Sequence, residues 1–96
     1  MLRITVLSQT PGEAVLKVEG RVSGADVALL EQEGTRYLLE AERLTLDLTG
    51  VRFIDERGIA LLQRWSGERL TLRGGSAFVR ALLKAHGLDE QRRDGG

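Results

Sequence analysis

Leu44, Leu46 and Leu48 alternate with Thr45 and Asp47, the two-residue period of a strand with one covered face. Thr49-Gly50 reads as a break, and the apolar Val51, Phe53 and Ile54 follow before Asp55. Asp55 is suited to cap a helix, because its carboxylate can accept a hydrogen bond from the amide of Arg57 or Gly58. Ile59, Leu61, Leu62 and Trp65 then recur at helical spacing until Ser66-Gly67 stops them. Earlier, Leu2, Ile4 and Val6 alternate with Arg3 and Thr5 in a first strand closed by the turn cluster Gln9-Thr10-Pro11-Gly12. In a second strand running to about Gly20, Ala14, Leu16, Val18 and Val22 share one face, opposite Lys17, Glu19 and Arg21.

From Ala25 to about Glu42, Val27, Leu30, Tyr37, Leu38 and Ala41 fall on one helical stripe, with Glu31, Glu33, Arg36 and Glu40 on the wet side. Gly34 interrupts this helix at a cost of roughly 1 kcal/mol relative to Ala, so either the backbone packs closely there or the helix bends or breaks. Leu70 and Leu72 alternate as a last strand, and Gly74-Gly75 turns the chain. Ser76 then caps a helix bearing Phe78, Val79, Leu82, Leu83 and Ala85, which Gly87 ends in a left-handed cap.

Strands alternating with helices from residue 13 onward predict an α/β class: one domain with a mixed, mostly parallel sheet of about four strands and covering helices. Val15 to Val18, Leu44 to Leu48 and Leu70 to Leu72 should be neighbouring parallel strands, with the first strand antiparallel at one side. Leu62, Trp65 and Leu82 should be buried against that sheet. Residues 1–88 form the domain in this reading, and 89–96 a polar, flexible tail that adds little stability.

Ninety-six residues suffice for a single core, so function must sit on the surface or in a shallow cleft. Acidic and basic residues balance at 14 each and are scattered, which argues against a nucleic-acid footprint or a polybasic membrane patch. All the basic residues except Lys17 and Lys84 are Arg. With no cysteine there are no disulfides, thiolate nucleophiles or sulfur metal sites. No apolar run is long enough for a signal or a membrane span, so a cytoplasmic location without direct membrane insertion is the default. Neither a cofactor nor a metal is expected.

An apolar strand, a short turn, an apolar pair, then Asp55-Glu56-Arg57-Gly58 opening an aliphatic helix resembles the STAS domain, the fold of bacterial anti-sigma factor antagonists and of sulfate-transporter tails. Gly20-Arg21-Val22 after the second strand and Leu82-Leu83-Lys84-Ala85-His86-Gly87-Leu88 at the last helix extend the resemblance over most of residues 2–88. Many members add a strand after that last helix, and residues 89–96 have no apolar alternation to build one. The resemblance implies a non-enzymatic, regulatory protein-interaction module in bacterial signalling and transcription control. Its partner-binding surface would comprise Arg21, Ser23, Asp55, Glu56, Arg57 and Gly58, with Arg52 nearby. The partner would be a kinase-like anti-sigma factor; alternatively the chain is a STAS accessory subunit of a phospholipid-transport ABC complex, contacting the transporter ATPase. In the family the residue before Gly is commonly a phosphorylated hydroxyl, and here it is Arg57, a degenerate phosphosite. Control through another hydroxyl, such as Ser23, would remain open.

Other chemistry in the residues is weaker. Asp55, Glu56 and Asp47 could form a carboxylate pair, but a cap, a solvated side chain and a strand-end residue account for them. His86 sits in the last turn of a helix, where imidazolium is favourable without catalysis. Gly74-Gly75-Ser76 lacks the following Lys of a phosphate-cradling loop. Tyr37, Trp65 and Phe78 read as core rather than as a stacking platform.

Overall fold

The computed structural model describes residues 1–67 and 69–88; the expected tail at 89–96 lies outside the described residues. Seven elements follow in order: β1 (Leu2–Gln9), β2 (Glu13–Val22), α1 (Ala25–Glu40), β3 (Arg43–Ile54), α2 (Glu56–Trp65), β4 (Leu70–Arg73) and α3 (Ala77–Ala85). The sheet order is β1-β2-β3-β4, with β1 antiparallel to β2, and β3 parallel to both β2 and β4. This is the expected mixed α/β architecture.

The β1–β2 hairpin closes on Thr10, whose amide donates to the Glu13 carbonyl at 2.9 Å while its hydroxyl accepts from the Glu13 amide at 3.1 Å. The crossovers β2-α1-β3 and β3-α2-β4 each advance one strand in the same direction, so right-handed connections put both helices on one face of the sheet. There Leu16, Val18, Leu44, Leu46, Leu48 and Leu72 join Leu30, Leu61, Leu62, Val79 and Leu83 of the helices in one apolar core. The opposite face carries Val15, Lys17, Thr45, Asp47, Thr71 and Arg73 in register, and is tied by the Thr45 hydroxyl donating to Glu13 at 2.6 Å. The helices therefore cover one face only.

The break expected at Thr49-Gly50 is instead a β-bulge inside a continuous β3. Lys17 pairs with Asp47 and Glu19 with Gly50, then Gly20 with Val51 and Arg21 with Phe53, so β3 gains one residue on β2 at each of two places. The buried side chains record it: after Leu44, Leu46 and Leu48 come Val51 and Ile54, each three residues on rather than two. Asp47 stabilises the first bulge by accepting from the Thr49 hydroxyl at 2.6 Å and the Thr49 amide at 3.0 Å.

Gly34 is resolved in favour of close packing. A methyl group built on it would stand 2.2 Å from the Trp65 ring, and α1 runs unbroken past it. Arg69 secures the other end of α1, donating to the carbonyls of Leu38, Ala41 (2.9 Å) and Glu42 (3.0 Å), where the helix dipole favours a cation. As expected, Ser76 caps α3 by accepting from the Val79 amide, and Gly87 (φ 76°) ends it. Its amide donates to Lys84 and that of Leu88 to Leu83, a Schellman closure that returns Leu88 to the core.

Several expectations are corrected. β2 continues to Val22, because the parallel pairing with β3 extends that far, and α1 ends at Glu40, where the chain turns extended at Ala41. Trp65 and Leu82 are only partly buried, lying at the margin of the helical layer. Phe78 is 57% exposed, because α3 turns Val79 and Leu83 inward and leaves the position between Ala77 and Val79 outside.

Candidate functional site

β2 and β3 end side by side, Val22 opposite Ile54, and the Asp55 amide donates to the Val22 carbonyl at 3.0 Å. Each strand here leads directly into a helix N-terminus. Asp55 serves both. One carboxylate oxygen accepts from the Gly58 amide at 2.9 Å, capping α2, and the other accepts from the Gly24 amide at 3.0 Å, at the position preceding α1. Gly24 takes φ 58°, ψ −134°, which a side chain would strain, and so aims its amide at the carboxylate. The Gly24 amide above all, then that of Gly58, holds the Asp55 carboxyl below the usual carboxylate range, with the Arg57 amide and charge adding to the effect.

The expected site residues divide by role. Gly58 is buried: a methyl group on it would lie 2.8 Å from Ile54, 2.9 Å from the Val22 side chain and 3.1 Å from the Val22 carbonyl. Its part is to let α2 seat against the strand ends. Glu56 and Arg57 are exposed in the first turn of α2, Arg21 is exposed near the end of β2, and Ser23 is half-buried between β2 and α1. Arg21 lies over the Phe53 ring, 4.9 Å from its centre, at the register position it shares with Phe53. Arg52, the extra residue of the second bulge, is exposed. Ala25, Ala28 and Leu29 add a small exposed apolar strip on the first turns of α1.

The arrangement presents an exposed, mixed-charge surface. Asp55 has both oxygens committed to amides, and Asp47 is held by Thr49, which likewise lowers its pKa. His86, expected in the last turn of a helix, is instead the C-cap residue directly after α3, with Nδ1 3.0 Å from the Leu82 carbonyl oxygen. The reading missed Gly24. Its bond to Asp55 joins residues 31 apart, and only the Ser23-Gly24 punctuation hinted at an unusual backbone.

The family model described as Mlab, STAS domain matches residues 5–92 of this chain. No curated protein matches it. Among solved structures, the chain is similar to the anti-sigma factor antagonist SpoIIAA in its unphosphorylated form, with TM-score 0.72 and 18% identity over 90% of this chain and 82% of that one. It is also similar to an anti-sigma factor antagonist from Mycobacterium paratuberculosis, with TM-score 0.68 and 23% identity over 92% of this chain and 80% of that one. At these identities the likeness establishes a shared fold.

Proposed function

The chain belongs to the STAS domain family, and from that premise we propose that it is a non-enzymatic regulatory interaction module of the anti-sigma factor antagonist kind, lacking the family's usual phosphorylation switch. The supporting observation is Arg57. It stands exposed immediately before the buried Gly58, at the first turn of a helix capped by Asp55, where the resemblance puts a phosphorylated hydroxyl. A phosphate there would sit at the positive end of the helix dipole and would add nearly two negative charges. Arg57 has no hydroxyl to receive one. The contact made through Arg21, Ser23, Glu56 and Arg57 is therefore constitutive, or controlled elsewhere. Asp55, Gly24 and Gly58 hold that surface in shape without needing to touch the partner.

The same permanent charge suits a second reading, a STAS accessory subunit of a phospholipid-transport ABC complex, in which a standing contact is needed and a switch is not. Co-purification from the native host separates the two: a kinase-like anti-sigma factor supports the first and a nucleotide-binding transporter subunit the second. Incubating the chain with the kinase so recovered and mapping phosphopeptides tests the missing switch. Residues 52–60 hold no hydroxyl side chain, so we expect the chain to stay unphosphorylated; phosphate at Thr49 or Ser23 would relocate the control. Phosphorylation that follows only from Arg57→Ser would show that the surrounding loop still fits the kinase.

A further inference from the structure

At the carboxyl ends of β2 and β3, three exposed guanidinium groups come from three separate pieces of chain. Arg21 is the penultimate residue of β2, Arg52 is the extra residue of the second bulge, and Arg57 is in the first turn of α2. Of the other described arginines, Arg3 on β1 and Arg43 at the start of β3 are also exposed without a side-chain partner among the described residues, and the rest are engaged. Arg36 faces Glu33, Arg64 faces Glu31, Arg73 faces Asp47, and Arg69 and Arg80 donate to backbone carbonyls. None of the three at the strand ends has a carboxylate within ion-pair distance among the described residues.

The local carboxylates do not answer them. Asp55 has both oxygens occupied by the Gly24 and Gly58 amides, and the charge of Arg57 acts on it only through the field. Arg21 lies over the Phe53 ring, and its N–H groups make no hydrogen bond or ion pair among the described residues. A bulge between parallel strands is uncommon, and this one turns an arginine outward at the strand ends. Arg57 is moreover a cation at the positive end of a helix, so the chain bears an unfavourable local charge there.

Resting on the protein-binding reading above, we infer that this surface docks an acidic patch of a partner protein, whose carboxylates pair with Arg21, Arg52 and Arg57. Carboxylates match the planar arginine fork. Glu56, exposed beside Arg57, sets the occupant's class. A continuous polyanion such as nucleic acid or a phospholipid surface would meet its negative charge, whereas a protein can place a cation opposite it. The partner's patch is thus carboxylates around one basic group.

The test uses the whole chain and needs no natural partner. The 15N-labelled protein is titrated at low salt with an acetylated Glu-Glu-Glu-Lys-Glu-Glu-Glu peptide, which sets carboxylates around one basic group, following the arginine Nε–H signals. Those of Arg21, Arg52 and Arg57 are expected to shift with one common affinity. Raising the salt from about 0.05 M to about 0.5 M, or reversing all three charges to Glu, should weaken binding by about tenfold or more. A triple Arg→Gln variant repeats the measurement should charge reversal disturb folding, and circular dichroism verifies both. Shifts elsewhere, or an affinity indifferent to these changes, overturn the inference. So does a response to inorganic phosphate without one to peptide, which would mark a helix-terminus anion site. Sedimentation with phosphatidylserine vesicles in the absence of a peptide response would assign the surface to lipid and overturn it as well. A failed peptide titration leaves the protein-binding reading to its own co-purification test, so the two can fail separately.

Discussion

Asp55 holds two segments that are far apart in sequence, and its two oxygens carry different duties. Asp55→Ala removes the α2 cap and the anchor of Gly24 together, so we expect a loss at or above the usual ~1 kcal/mol for a cap, read from urea denaturation. A change smaller than about 0.5 kcal/mol, the scale of ordinary surface substitutions, would mean that the two bonds are not maintained in solution. The same residue predicts a pH dependence. Asp55 and Asp47 both have folded-state pKa values below their ordinary value, through the Gly24 amide and the Thr49 hydroxyl respectively. A depressed carboxyl stabilises the fold fully above its unfolded pKa of about 3.9, and that contribution disappears as pH falls through the folded value. The urea midpoint should therefore fall below about pH 4, and less steeply in Asp55→Asn than in the parent. Equal slopes in the two proteins would remove Asp55 from the account. The cap itself was legible, because Asp before an apolar helical stripe is a local signal. The Gly24 contact was not, since a carboxylate gives no local sign of a second amide brought to it by folding.

Among the elements, α1 and α2 meet where the Trp65 ring lies on the backbone of Gly34. In an open helix Gly→Ala gains roughly 1 kcal/mol from propensity. Here the added methyl group would stand 2.2 Å from the ring, and overpacking typically costs about 1–3 kcal/mol, so Gly34→Ala should lower stability. Pairing it with Trp65→Leu should restore part of the gain. Destabilisation by Gly34→Ala that is unchanged in the Trp65→Leu background would show that the clash is not the cause. The order of strands and helices, the parallel pairing and the three helix starts were legible in hydrophobic period and cap residues. The continuity of β3 was not. A bulge breaks the two-residue period just as a turn does, and only the partner strand distinguishes them. Phe78 escaped for a related reason: an apolar residue near a helix start fits the stripe by type, but the short α3 can turn only one narrow face inward.

At the scale of the molecule, one apolar core and a sheet with helices on one face hold the ends of β2 and β3 together, and there the exposed polar groups of Arg21, Arg52, Glu56 and Arg57 gather on a rigid base. No helix among the described residues is long and apolar enough to cross a membrane. The family and the fold could be read from the order of elements, whereas the grouping of the three arginines required the register of the bulged strand. As proposed, this surface binds a protein through Arg57, at the position where the STAS resemblance puts a phosphorylated hydroxyl. The most direct measurement is a calorimetric titration of the co-purified partner into the parent chain and into Arg57→Glu, with urea denaturation of both. A stability change within about 0.5 kcal/mol, as for an exposed residue, is expected together with clearly weaker binding. Unchanged affinity would remove the loop from the interface, and a large loss of stability would make Arg57 a structural residue instead.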